Sequence, residues 1–189
     1  NPSGRNINFG IREFAMAGIQ NGIKLHGGAL SYVGCFLVFS DYMKNAIRMS
    51  ALENIPSIYL FSHDSLAVGE DGPTHQPIEH LASLRSIPNL DVIRPADERE
   101  TYAAWNLAIK SKDHPTALIL SRQDLPLLDK SSEEDVSYGA YLVKSVSKPD
   151  IQIIATGSEV SLAIEAAKIL ESIKLKCHGE EIVKIINNE

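Results

Sequence analysis

Little in this 189-residue sequence marks a secreted, membrane-spanning or nucleic-acid-coating protein. There are two cysteines, Cys35 and Cys177. That is too few for a disulfide framework, and no CxxC pair suggests zinc, so both thiols read as reduced and structural. The most apolar stretch, Ala29 to Phe39, falls far short of the ~20 residues a membrane span needs. Residues 1–30 lack a charged segment leading into an apolar core, so no secretory signal is expected. An excess of basic residues is missing too. Lys plus Arg total 18 against 24 Asp plus Glu, a net charge of −6. This argues against a general nucleic-acid coat or a polybasic membrane anchor, while a local basic pocket stays open. Internal repeats and low-complexity segments are absent as well. These absences together fit a cytoplasmic protein. The first residue is Asn1, not Met, so the chain is expected to be a fragment or a trimmed product.

What is present is a globular composition: 44% apolar and 22% charged residues, enough to bury roughly 70% of the unfolded surface. Short β-rich runs alternate with helical patterns. Ile7 to Phe9 is a weak strand candidate. Ile11 to Leu25 reads as a helix with Phe14, Ala17, Gly18 and Ile19 on part of an apolar face, ended by His26-Gly27-Gly28. Tyr32 to Phe39 is apolar and turn-poor. Ser40 can cap a following helix, with Asp41 in its first turn and Met43, Ile47 and Leu52 at near-helical spacing. Ser57 to Phe61, Leu90 to Ile93 and Ala117 to Leu120 are short continuous apolar runs of the kind buried in parallel sheets. Arg99 to Ala108 reads as a helix capped by Asp97. This alternation predicts an α/β fold, a parallel sheet flanked by helices. The polar, acidic residues 129–137 read as a linker. A truncated second α/β unit follows, with a strand at Ile151 to Ala155, a helix from Val160 to Leu170 capped by Ser158, and two or three strands in all. Its sheet should end in an unpaired edge or borrow a partner. The expected domains are therefore residues 1–130 and 131–189.

The least ordinary stretch is His63 to Glu79. It directly follows the strand Ser57 to Phe61, and ligands of parallel α/β sheets bind at the C-terminal ends of strands. The stretch holds two histidines, His63 and His75, and four acids, Asp64, Glu70, Asp71 and Glu79, on a path set by Gly69, Gly72, Pro73 and Pro77. A polar connector is one reading of it. Metal binding by His and Asp is another, but HDx6Dx3H fits no zinc spacing.

The motif DGPTHQP at 71–77, together with GIREFAM at 10–16, LHGG at 25–28 and LILSRQ at 118–123, resembles the transketolase family. The resemblance covers about residues 5–175 in one collinear block and fades near Lys176. It implies the thiamine-diphosphate-binding pyrimidine domain of that family plus the opening of its C-terminal domain. The family's N-terminal domain, which holds the diphosphate and a Mg²⁺ or Ca²⁺ ion, is expected to lie outside this chain. Dihydroxyacetone synthase and deoxyxylulose-phosphate synthase share DGPTH, whereas Gln76-Pro77-Ile78-Glu79 favours the transketolase branch. Cys177 to Ile186 and the polar end after it have no counterpart in the resemblance.

Taken alone, an acid in the first turn of a helix is commonly a dipole partner. By resemblance, Glu13 is the glutamate that hydrogen-bonds a ring nitrogen of the aminopyrimidine. There it favours the imino tautomer that takes the thiazolium proton. Apolar surroundings, which Phe9, Phe14 and Met16 can supply, should then raise its pKa. Phe36, Phe39 and Tyr42, at steps of three, read on spacing alone as core. The resemblance places them around the aminopyrimidine, with Phe39 the principal stacking ring. Arg122 on its own is a surface residue after a strand, and His75 on its own can brace the proline-rich turn. The resemblance makes His63, Asp71, His75 and Arg122 the substrate set. Arg122 and His63 would serve a sugar phosphate, Asp71 a sugar hydroxyl, and His75 the region of the reacting carbon. Arg85 and Arg94 are left outside the site, and Glu79 is read as structural or interfacial.

The implied activity is transfer of a two-carbon ketol group from a ketose phosphate to an aldose phosphate. The implied partners are a second copy of the chain in a homodimer or a complementing chain carrying the diphosphate-binding domain, with no nucleic acid and no membrane. Little turnover is expected from the 189-residue chain alone. The competing expectation is a truncated, non-catalytic ligand- or partner-binding module of the same family.

Overall fold

The structure, a computed structural model, describes residues 4–129, 131, 135–173, 175–182 and 184–185. Its first helix, α1, runs over Glu13–His26 and ends where Gly27 takes the left-handed conformation at φ 75°. β1 (Tyr32–Phe36) gives way to a 3-10 turn over Leu37–Phe39 that runs straight into α2 (Ser40–Leu52). β2 (Ile58–Ser62), α3 (His80–Arg85), β3 (Asp91–Ile93), α4 (Glu98–Lys110) and β4 (Thr116–Ile119) follow. β1, β2, β4 and β3 lie side by side in that order, all parallel.

Because the four strands are parallel, their C-terminal ends share one edge of the sheet. The register pairs Phe36 with Ser62, and Phe61 with Ile119. Both faces are buried, which is why the strands read as continuous apolar runs. Tyr59, Phe61, Ala117 and Ile119 face a core shared with α1, α2 and α3, while Ile58, Leu118 and Ile93 face α4. In the first core, buried Asn21 of α1 accepts hydrogen bonds from Ser57 Oγ (2.8 Å) and the Tyr59 hydroxyl (2.6 Å), and donates to the Ala46 carbonyl (2.9 Å).

A smaller sheet holds β5 (Ala140–Lys144), β6 (Ile151–Ala155) and β7 (Cys177–Ile182) in the order β5-β7-β6, with α5 (Glu159–Ser172) after β6. Each outer strand of this sheet has a single neighbour among the described residues. β8 (Lys184–Ile185) instead joins the first sheet, antiparallel to β3.

The structure corrects several local expectations. Ile7 to Phe9 forms no strand; this three-residue run has no partner strand among the described residues. Phe14 and Ile19 do not face the core: α1 buries Ala17, Gln20 and Asn21, and Phe14 is 60% exposed. Ser40 does not cap α2. The helix starts at Ser40 because the preceding turn already supplies an acceptor, the Leu37 carbonyl, to its N–H. Met43 and Ile47 are buried, whereas Leu52 in the last turn is 65% exposed. Asp97 does cap α4, accepting from the Glu100 N–H at 3.0 Å. Ser158 makes no capping bond, because its hydroxyl is turned to Arg94 and Glu159. Within 129–137, residues 130 and 132–134 lie outside the described residues. Asp135–Tyr138 forms a 3-10 turn whose Val136 is fully buried against α4, so this part is packed rather than a free linker.

Candidate active site

The exposed ends of β1 and β2 carry aromatic rings. Phe36 closes β1, and the 3-10 turn after it brings Phe39 to a ring centroid distance of 6.1 Å, nearly parallel at 16°. His63, the residue after β2, lays its imidazole on Phe36 at 3.5 Å and 19°. Its backbone sits at φ 59°, a conformation uncommon for a residue with a Cβ. Its Nδ1 is 2.9 Å from Ser62 Oγ.

The loop then makes two 3-10 turns, Gly69–Asp71 and Pro73–His75. Between them Gly72 adopts φ 76°, ψ −171°, a region essentially restricted to glycine. The His75 N–H donates back to the Gly72 carbonyl at 3.0 Å. This reversal brings the His75 ring edge-on to Phe39 (5.4 Å, 82°) and to Phe36 (6.3 Å, 70°). Tyr42, one turn further along α2, lies 6.3 Å from Phe39 and is mostly exposed. Five residues expected at the site, Phe36, Phe39, Tyr42, His63 and His75, thus form one ring cluster at the C-terminal edge of the sheet.

Arg122, just past β4, reaches the same loop. Its guanidinium lies over Gly69, where an added Cβ would come within 3.2 Å of Cζ. The Arg122 side chain has no ion-pair or hydrogen-bond partner among the described residues. Asp71 ends the first 3-10 turn with an exposed carboxylate, likewise without such a partner.

Glu13 opens α1 and is half-buried. Burial, reinforced by the charge of Glu13, pushes the thiol of Cys35, the residue before Phe36 in β1, up to about 12. The expected apolar enclosure of Glu13 is incomplete within the chain. Phe9 and Met16 are half-buried, but the Phe14 ring is turned outward along the exposed face of α1. Along that face Ala15, Gly18, Ile19, Gly22 and Ile23 line an open apolar groove of about 880 Å³.

Two further features surround the cluster. Asp41, Glu79 and His80 bring potential metal-ligand atoms within 4.8 Å of one another, but buried His80 already bonds Asp41 through Nε2 (3.1 Å), and Asp41 also pairs with Lys44 (3.2 Å). Arg94, set aside from the sequence, is 3% exposed and bonds Asp64 from the site loop and Glu159 from α5. A signal for it was present: it directly follows β3, at the same strand-end edge that Arg122 reaches three residues past β4.

Residues 1–127 match the family described as "Transketolase, pyrimidine binding domain". Residues 139–178 match "Transketolase-like TK C-terminal domain". The chain is 58% identical over 179 residues to a probable transketolase of Streptococcus pneumoniae, covering 94% of this chain and 26% of that one. It is 60% identical over 169 residues to the transketolase of Bacillus subtilis, covering 87% and 25%. It therefore spans about a quarter of the length of these curated relatives. Among solved structures, a Pichia stipitis transketolase in complex with sedoheptulose-7-phosphate superposes with a TM-score of 0.93 at 48% identity, over 96% of this chain and 27% of that one. A structure described as a split-gene transketolase, an inactive β4 tetramer, has a TM-score of 0.79 at 26% identity, over 94% of this chain and 56% of that one.

Proposed function

The chain belongs to the transketolase family, and we propose that it forms the pyrimidine-binding and part of the substrate-binding portion of a thiamine-diphosphate-dependent transferase. The reaction moves a two-carbon ketol group from a ketose phosphate to an aldose phosphate. The observation that carries this reading is the ring cluster on the strand ends, bordered by an unpartnered guanidinium. Flat aromatic rings, a half-buried carboxyl and a cationic rim suit a heterocyclic cofactor and a phosphorylated sugar.

Thiamine diphosphate, when bound, supplies the carbanion-stabilising chemistry that protein side chains lack. In this reading Glu13 holds a proton against a pyrimidine ring nitrogen. One face of Phe36 is covered by His63, so stacking falls chiefly to Phe39, with Tyr42 beside it. The Nδ1 atoms of His63 and His75 are engaged by Ser62 and Thr74, which leaves their Nε2 atoms for substrate. His63 and Arg122 serve the phosphate, Asp71 a sugar hydroxyl, and His75 the oxygen near the reacting carbon. The Mg²⁺ or Ca²⁺ ion is assigned to the diphosphate-binding portion and not to the Asp41, Glu79 and His80 group, whose histidine already has a direct partner.

We divide the chain at 130/131, a boundary supported by the two family matches on either side of it. The exposed face of α1, with its apolar groove next to Glu13, supports docking of a second chain, either another copy or one carrying the diphosphate-binding portion. Among the described residues no helix is long and apolar enough to cross a membrane, and a cytoplasmic location is the setting we assign. The split-gene relative favours one further reading, in which the polypeptide is a binding module that turns over only with a complementing chain.

The deciding experiment is Glu13→Gln in the full-length protein, assayed for ketol transfer with thiamine diphosphate, Mg²⁺ and a ketose phosphate. Loss of a correctly placed proton-transfer group lowers turnover by about 10²-fold or more, with the circular dichroism spectrum unchanged. Near-normal turnover in the variant removes Glu13 from its role. A wild-type protein inactive with and without a complementing chain removes the enzyme reading, and pyruvate acting as donor moves the chain to the deoxyxylulose-phosphate synthase branch.

A further inference from the structure

His63 stands in a left-handed backbone conformation at φ 59°, and such outliers persist only where the surroundings over-determine them. Its own side chain supplies two restraints, the Ser62 contact and the Phe36 stack. The third comes from the next residue. Asp64 is buried, and Arg94 grips one of its oxygens with Nε at 2.8 Å and Nη2 at 2.7 Å.

The same guanidinium reaches the smaller sheet. It donates to the Thr156 carbonyl (2.8 Å), to Ser158 Oγ (3.0 Å) and to both oxygens of Glu159, one of them at 3.0 Å. The turn before α5 is moulded to the arginine stem. Gly157 sits at φ 58°, and an added Cβ would lie 2.7 Å from Arg94 Cγ. Burial alone lowers the Arg94 pKa, but the hydrogen bond and charge of Glu159, with those of Asp64, outweigh it and raise it, so the cation is kept. A buried ion pair is weak evidence for stability, since apolar residues of similar volume often serve as well. What this one adds is a fixed relation between the site loop and the second unit.

We propose that Arg94 is a positioning residue: it fixes Asp64, Asp64 fixes the left-handed turn at His63, and that turn holds the His63 imidazole on Phe36 at the substrate end of the site. Through Glu159 and the turn at Thr156–Ser158, the second unit becomes part of this support. The inference rests on the reading of His63 as a substrate contact.

The test uses the full-length protein carrying Arg94→Gln, His63→Ala, both together, and Glu159→Gln. A site group displaced by about an ångström costs one to two orders of magnitude, so Arg94→Gln is expected to raise KM for a ketose phosphate about tenfold while kcat changes less than about threefold. In the His63→Ala background the same substitution adds less than about twofold, because the two residues act in series. The His63 ring protons, shifted upfield by Phe36 in the wild type, move toward free-imidazole positions in Arg94→Gln. Should Arg94→Gln fail to fold, Glu159→Gln, on a half-exposed side chain, carries both readouts with KM effects of about two- to fourfold. Unchanged KM and ring shifts, or KM effects of Arg94→Gln and His63→Ala that multiply fully, overturn the proposal. An inactive wild type refutes the reading of the site instead, and the ring shifts then still decide whether Arg94 holds His63.

Discussion

Gly157 and Gly27 both occupy the left-handed region, at φ 58° and 75°, and differ in what surrounds them. An alanine at Gly27 meets nothing within 4 Å, so Gly27→Ala carries the backbone cost alone, about 1–2 kcal/mol. An alanine at Gly157 has the same backbone cost and also drives its Cβ to 2.7 Å from Arg94 Cγ and Nε and 2.9 Å from Cδ. Those atoms are the stem of a buried arginine held at both ends, so they cannot swing aside without loosening Asp64 or Glu159. Breaking a buried pair by deleting one partner costs about 3–5 kcal/mol, and displacement costs less than deletion. Gly157→Ala is therefore expected to exceed Gly27→Ala by about 1–3 kcal/mol. Urea unfolding of the two full-length variants and the wild type measures the difference, provided the denaturant slopes agree. Equal destabilisation within about 0.5 kcal/mol refutes the claim that the turn before α5 is moulded on Arg94.

The thiol of Cys35, pushed up to about 12 by burial and by Glu13, stays protonated at neutral pH. Alkylation by iodoacetamide at pH 8 is expected to leave it unmodified in the folded protein and to label it on denaturation; rapid native labelling would contradict its placement, since the thiolate is the nucleophile. Glu159 is held below its ordinary value of 4.5, because the Arg94 hydrogen bond and charge, with the Ser158 hydroxyl, outweigh the burial that alone would raise it. A depressed folded-state pKa contributes stability above the unfolded value and loses it as pH falls through the folded one, so the wild type should lose stability below about pH 4.5 more steeply than Glu159→Gln; parallel acid-unfolding curves would exclude the contribution.

The parallel sheet was legible because β2 and β4 are buried on both faces, so they appear as uninterrupted apolar runs such as SIYLF and ALIL, and because α4 carries its own cap at Asp97. Where local pattern failed, tertiary context had overruled it. Phe14 and Ile19 look like a core face, yet α1 turns Gln20 and Asn21 inward, since Asn21 ties the helix to Ser57 and Tyr59 by hydrogen bonds that no hydrophobicity pattern encodes. Ser40 and Ser158 have the chemistry of caps, but a preceding turn and a neighbouring arginine take their places. At the site the order reversed. The loop His63 to Glu79 stood out by its mixture of histidine, acid, glycine and proline and by its place after a strand, with Arg122 after another; Phe36 read as core on spacing and came to the site only through the family resemblance. Arg94 carried the same strand-end signal as Arg122. What separated the two was a partner, Glu159, 65 positions further along the chain, and only the fold brings the carboxylate to that guanidinium. A lone arginine therefore reads the same from sequence whether its charge is left open or already holds the architecture, and the difference lies in whether that charge is spent inside the protein: Arg94's is, whereas Arg122's has no partner among the described residues.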